Sequence, residues 1–135
     1  MPHVIVEYSA NLDADADIPA LLKVIATYCG DSGGVLPLAG VRVRAIHLTE
    51  YVIADGKPEY AMVNITVKMG QGRDPEFKKT FFGGLFDRIK AELAPAMAAR
   101  PVALSMYLEE LDETGAYRDN GVRTALGLPQ KTKPT

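Results

Sequence analysis

The strongest constraint on this chain is that alternating apolar runs are joined by stretches with helical periodicity. Residues 3–8 (HVIVEY) alternate, with Val4, Val6 and Tyr8 on one face and His3, Ile5 and Glu7 on the other, which is the period of a strand. A second such run, residues 41–50 (VRVRAIHLTE), sets Arg42, Arg44, Ile46 and Leu48 on one face. Between them Ile18, Leu21, Leu22, Ile25 and Tyr28 recur at helical spacing. Asp17 is placed to cap that helix, Pro19 fits its first turn and Gly30 can end it. Strands joined through a helix pair in parallel, with a right-handed crossover.

The same order then recurs. After a turn-like ADGKPEY segment, residues 60–69 place Ala61, Val63, Ile65, Val67 and Met69 on one face of a third strand. Gly70-Gln71-Gly72-Arg73 breaks it, and Asp74-Pro75 opens a second helix whose apolar stripe includes Phe77, Phe81, Phe82, Leu85, Ile89 and Leu93. Gly83-Gly84 inside that helix costs ~1 kcal/mol per glycine against alanine, and is compatible with either close packing or a local bend. A fourth strand is expected over residues 102–109. From Leu111 onward the chain is polar and rich in breakers, and residues 127–135 read as a flexible tail.

The predicted class is α/β (α+β): a duplicated β-α-β unit forming one domain over residues 1–126. Its halves cover about 1–55 and 56–110, and a C-terminal extension follows. The simplest assembly is a four-stranded sheet with both helices on one face, and the bare face then calls for a partner copy. The 135 residues suit one domain. A net charge of −2 provides no global field for nucleic acid or an anionic membrane. Cys29, the single cysteine, cannot form an intrachain disulfide and falls on the apolar helical pattern as a small core residue. With no basic start ahead of an apolar run, and no apolar stretch near the ~18 residues of a membrane span, the expectation is a soluble cytoplasmic protein.

The chemistry narrows by elimination. His3 and His47 are isolated and no cluster has zinc-ligand spacing. No GxGxxG, P-loop or GxSxG string is present. Pro2 would carry a free secondary amine once Met1 is removed, and cations with dry surroundings would hold that amine neutral and able to shuttle a proton. Arg42 and Arg44 share a strand face, and Arg73 stands where the third strand meets the second helix. A guanidinium fork fixes both the charge and the orientation of a carboxylate. Each feature also has a plain reading: a chance proline, and surface arginines or ion-pair partners of Glu7, Glu50 and Glu109. On the residues alone the plain readings are the stronger.

The opening MPHVIVEYSAN, the block PLAGVRVRAIH, the segment ADGKPEYAMVNITVKMGQGR and the strand ALSMYLEEL together resemble the 5-carboxymethyl-2-hydroxymuconate delta-isomerase family of the tautomerase superfamily. The resemblance runs from Met1 to roughly Leu126. It implies a homotrimer without cofactor or metal, acting on a small unsaturated carboxylate in bacterial breakdown of an aromatic acid. It also implies that Pro2 is the catalytic base and that Arg42 and Arg73, and with them Arg44, which also matches the pattern, bind substrate carboxylates. The chain departs from the pattern in lacking tryptophan, in Tyr8 and in a longer GDSGG loop. Superfamily relatives that hydrate, dehalogenate or decarboxylate unsaturated acids offer a second reading, with Glu7 as the carboxylate nearest in sequence for activating water. A trimeric binding module without chemistry is a third.

Overall fold

The computed structural model describes residues 2–129; Met1 and residues 130–135, which include most of the expected tail, lie outside the described residues. Seven main elements follow in order: β1 (His3–Ser9), α1 (Ile18–Gly30), β2 (Arg42–Leu48), β3 (Ala61–Gly70), α2 (Pro75–Ala99), β4 (Val102–Leu111) and α3 (Gly121–Ala125). The sheet order is β2-β1-β3-β4. β1 pairs in parallel with β2, and β3 with β4, while β1 and β3 meet antiparallel at the centre. Two β-α-β units thus lie side by side in one sheet, as the pattern of periods predicts.

Both long helices cover one face. Val4 and Val6 from β1 and the odd-numbered residues 61–69 of β3 share a core with Ile18, Leu21, Ile25 and Cys29 of α1 and Phe82, Leu85, Ile89 and Leu93 of α2. A fully buried leucine or isoleucine contributes roughly 1.5–3 kcal/mol through removal from water, so this seam between sheet and helices is the main stabilising feature. The opposite face carries His3 and Glu7, Arg42 and Arg44, Asn64 and Lys68, and Ser105 and Tyr107. Ile46 and Tyr107 on that face are 46% and 62% exposed. Among the described residues no helix is long and apolar enough to cross a membrane.

Local signals act largely as read. The Asp17 carboxylate accepts the Ala20 N–H at 3.0 Å and caps α1, with Pro19 in the first turn. Asp74 occupies the cap position of α2, but its side chain makes no capping bond. α2 runs unbroken through Gly83, Gly84 and Pro95. An ideal Cβ on Gly84 would lie 2.4 Å from the Tyr28 hydroxyl, whereas one on Gly83 would meet nothing within 4 Å. Gly84 alone of the pair therefore serves close packing: the Tyr28 hydroxyl, passing over it, donates to the Phe81 carbonyl at 2.7 Å. β4 extends to Leu111, two residues beyond the predicted end. The extension after it is folded, with a 3₁₀ turn at Glu113–Gly115 and α3 behind a buried Asn120.

Candidate functional site

The parallel register sets His3 beside Arg42 and Ile5 beside Arg44, and the antiparallel register sets His3 opposite Lys68. The starts of β1 and β2 and the end of β3 therefore meet at one end of the sheet. Pro2 is buried there, and its carbonyl accepts the Arg42 N–H at 3.1 Å. Backbone pairing alone thus brings the first proline and the first arginine of the predicted set together across a long stretch of chain.

The side chains around His3 form a cationic cluster on the open face. Arg42 Nη1 lies 3.0 Å from His3 Nε2, and Arg44 Nη1 lies 3.1 Å from His3 Nδ1. A neutral imidazole has a single acceptor nitrogen. Either tautomer accepts from one arginine and turns its own N–H toward the other, so the cluster is short of acceptor oxygens. Burial, followed by the Arg42 and Arg44 guanidiniums, pushes the His3 pKa below its ordinary value and keeps the ring neutral. Glu7 instead accepts from Asn64 at 3.4 Å, and Glu109 lies 4.0 Å from Lys68. Among the described residues no carboxylate comes within ion-pair distance of Arg42, Arg44 or Arg73. Two unpaired guanidiniums around a neutral ring are suited to receiving an external carboxylate.

Arg73 reaches the same end of the sheet by a different route. It follows β3 after Gly72, whose φ of +104° is natural to glycine. Its Nη1 donates to the Gly70 carbonyl at 2.8 Å and its Nη2 to the Val35 carbonyl at 3.2 Å, linking the loop before β2 to the end of β3. Its Nε is buried and has no partner among the described residues. A cavity of about 590 Å³ between α1 and α2 is lined in part by Lys23, Tyr28, Phe81 and Arg88, and Pro2, His3, Arg42, Arg44 and Arg73 are not among its lining residues.

His3 is the residue that sequence reading passed over. Its alternation already set it on the polar face of β1, but its place between two arginines depends on the β1–β2 register, which the sequence does not display.

A sequence model of the 5-carboxymethyl-2-hydroxymuconate isomerase family matches residues 2–126. The chain belongs to that family. It is 41% identical over 123 residues to 5-carboxymethyl-2-hydroxymuconate Delta-isomerase of Escherichia coli, an alignment covering 90% of this chain and 96% of that protein. It superposes on a crystal structure of a 5-carboxymethyl-2-hydroxymuconate isomerase from Deinococcus radiodurans with a TM-score of 0.86 and 32% identity, covering 93% of each chain. A wild-type fused 4-OT symmetric trimer aligns with a TM-score of 0.61 and 26% identity over 83% of this chain and 87% of that one. The resemblance read from the MPH start and the PLAG and GxGR blocks is borne out, and the chain is an isomerase with the tautomerase-superfamily fold. The family match includes the folded extension up to Leu126.

Proposed function

We propose that this isomerase converts 5-carboxymethyl-2-hydroxymuconate, or a closely related unsaturated acid with several carboxylates, to its keto isomer. Pro2, freed of Met1, would carry the proton. The observation that supports this most is the buried Pro2 tied through its carbonyl to Arg42, beside a guanidinium pair with no carboxylate partner among the described residues. Those cations favour the neutral form of a nearby amine. Neutral Pro2 takes the hydroxyl proton of the dienol, leaving a dienolate whose negative charge the guanidinium groups stabilise. The protonated amine then returns a proton to carbon, giving the conjugated ketone. Arg42 and Arg44 hold substrate carboxylates, and Arg73 joins them by exchanging a backbone carbonyl for a carboxylate oxygen. The steps form no covalent intermediate with the protein and call for no cofactor.

We further propose a cytoplasmic homotrimer. Its support is the sheet face with exposed Ile46 and Tyr107, the edges β2 and β4, which have no further strand partner among the described residues, and the trimeric state of the fused 4-OT structure. The test of the reaction is intact mass followed, on the same sample, by an ultraviolet assay with 5-carboxymethyl-2-hydroxymuconate. Loss of Met1 with rapid isomerisation, abolished in Pro2→Ala, is the expected result. Brisk turnover by protein that retains Met1 removes Pro2 as the base, because an amide nitrogen cannot take the proton.

A further inference from the structure

The chain beyond β4 crosses the same end of the sheet that holds Pro2, and it touches both arginine-bearing loops. The Gln71 N–H donates to the Leu111 carbonyl at 3.2 Å, next to the Gly70 carbonyl that receives Arg73. Glu113 then lies over Gly70 so closely that a Cβ there would meet its carboxylate at 2.5 Å. Farther on, Asn120 is only 7% exposed. Its side-chain oxygen accepts the Val122 and Arg123 N–H groups at 3.1 and 3.3 Å and so caps α3. Its Nδ2 donates to the carbonyl of buried Ala39 at 2.9 Å. Ala39 lies in the 3₁₀ turn Leu38–Gly40, which leads through Val41 into Arg42.

We propose that Asn120 is a positioning residue for substrate binding: its carboxamide fixes the turn that delivers Arg42, and the extension thereby holds the Arg42 and Arg73 loops in one frame. Among the described residues, the extension after β4 reaches the site through the Asn120 carboxamide on Ala39 and the Leu111 carbonyl on Gln71. Asn120 suits both tasks because a carboxamide donates and accepts at once. A buried carbonyl that loses its partner is costly, so the turn moves when the donor goes. The assignment rests on the proposed function for its kinetic consequence, but the tie itself can be tested without it.

The decisive variant is Asn120→Asp. It keeps the oxygen that caps α3, removes the donor to Ala39 and sets a carboxylate against that carbonyl. Asn120→Ala removes both bonds and serves as the comparison if α3 frays. Hydrogen exchange is read at the Gly40 and Val41 amides, which donate to Pro37 and Leu38 within the turn. The expected result in Asn120→Asp is exchange about tenfold faster at these two amides, as for one lost hydrogen bond. In kinetics on protein with verified free Pro2, KM for the multi-carboxylate acid rises by about tenfold while kcat changes less. The acid limb of the kcat/KM profile moves to higher pH, because a displaced Arg42 no longer disfavours protonation of Pro2. A merely structural role for Asn120 would leave that limb in place. Unchanged exchange at Gly40 and Val41 overturns the tie. Faster exchange with wild-type KM and pH profile overturns the positioning of Arg42. Wild-type protein that lacks Met1 yet shows no turnover counts against the Pro2 reading alone, and the exchange measurement still decides the tie.

Discussion

Alanine at Gly84 and alanine at Gly83 should have opposite effects, although the two residues are adjacent in one exposed-to-buried turn of α2. A Cβ at 84 lies 2.4 Å from the Tyr28 hydroxyl, where ordinary contact begins near 3.4 Å, so the hydroxyl must retreat by the difference, about 1 Å. That retreat stretches its 2.7 Å bond to the Phe81 carbonyl out of hydrogen-bonding range. The lost bond costs ~0.5–1.5 kcal/mol and the overpacking ~1–3 kcal/mol, offset by ~1 kcal/mol of helix propensity. The net expectation for Gly84→Ala is a loss of roughly 0.5–3.5 kcal/mol, a fall in Tm of about 2–14 °C for a domain of this size. Gly83→Ala meets nothing and keeps only the propensity gain, roughly 0.5–1 kcal/mol of stabilisation. Thermal unfolding by calorimetry at fixed protein concentration measures both. In a Tyr28→Phe background the obstructing oxygen is gone and the next ring atom stands at 3.5 Å, so Gly84→Ala should become neutral or stabilising. Equal stabilisation by both alanines in the wild-type background would refute the close approach of α1 and α2 at this point.

Further outcomes follow from the site and the core. Arg42→Ala should lower kcat/KM by roughly a hundredfold or more, as expected for a charge-assisted, two-point contact; Arg42→Lys should recover only part, since an ammonium lacks the fork, and steady-state kinetics separate the cases. His3 has a depressed pKa when folded, so the unfolded chain binds the extra proton first and stability should fall as pH drops below about 6.5 toward the folded value. Chemical denaturation of wild type and His3→Gln across that window should show a shallower acid-side loss in the variant; parallel curves would remove His3 as the cause. A dicarboxylate added to the protein should raise the His3 pKa by pairing with the arginines, read as a shift of its ring resonances on titration. Cys29 is buried, and burial pushes its thiol up to about 11, so a thiol reagent at neutral pH should react only at the rate of unfolding; rapid labelling of native protein would contradict its place in the core.

The contrast between what was legible and what was not follows the range of the interactions. Strand and helix order, the Asp17 cap and the parallel pairing within each half were readable because period and capping are set by residues a few positions apart. The shared face of Arg42 and Arg44 was readable for the same reason. The side chain of Asp74 does not cap α2, which shows that a suitable residue at a cap position does not guarantee the bond. The meeting of His3 with both arginines depends on strand register, and a shift of one residue would move it to another pair. The use of Gly84 to admit Tyr28, the docking of Arg73 on the Val35 and Gly70 carbonyls, and the reach of Asn120 to Ala39 join positions far apart in the chain. Sequence alone determined the elements and their faces, since those follow from local backbone periodicity; tertiary structure decided the partners, since a long-range contact forms only when whole elements pack and bring it within hydrogen-bonding reach.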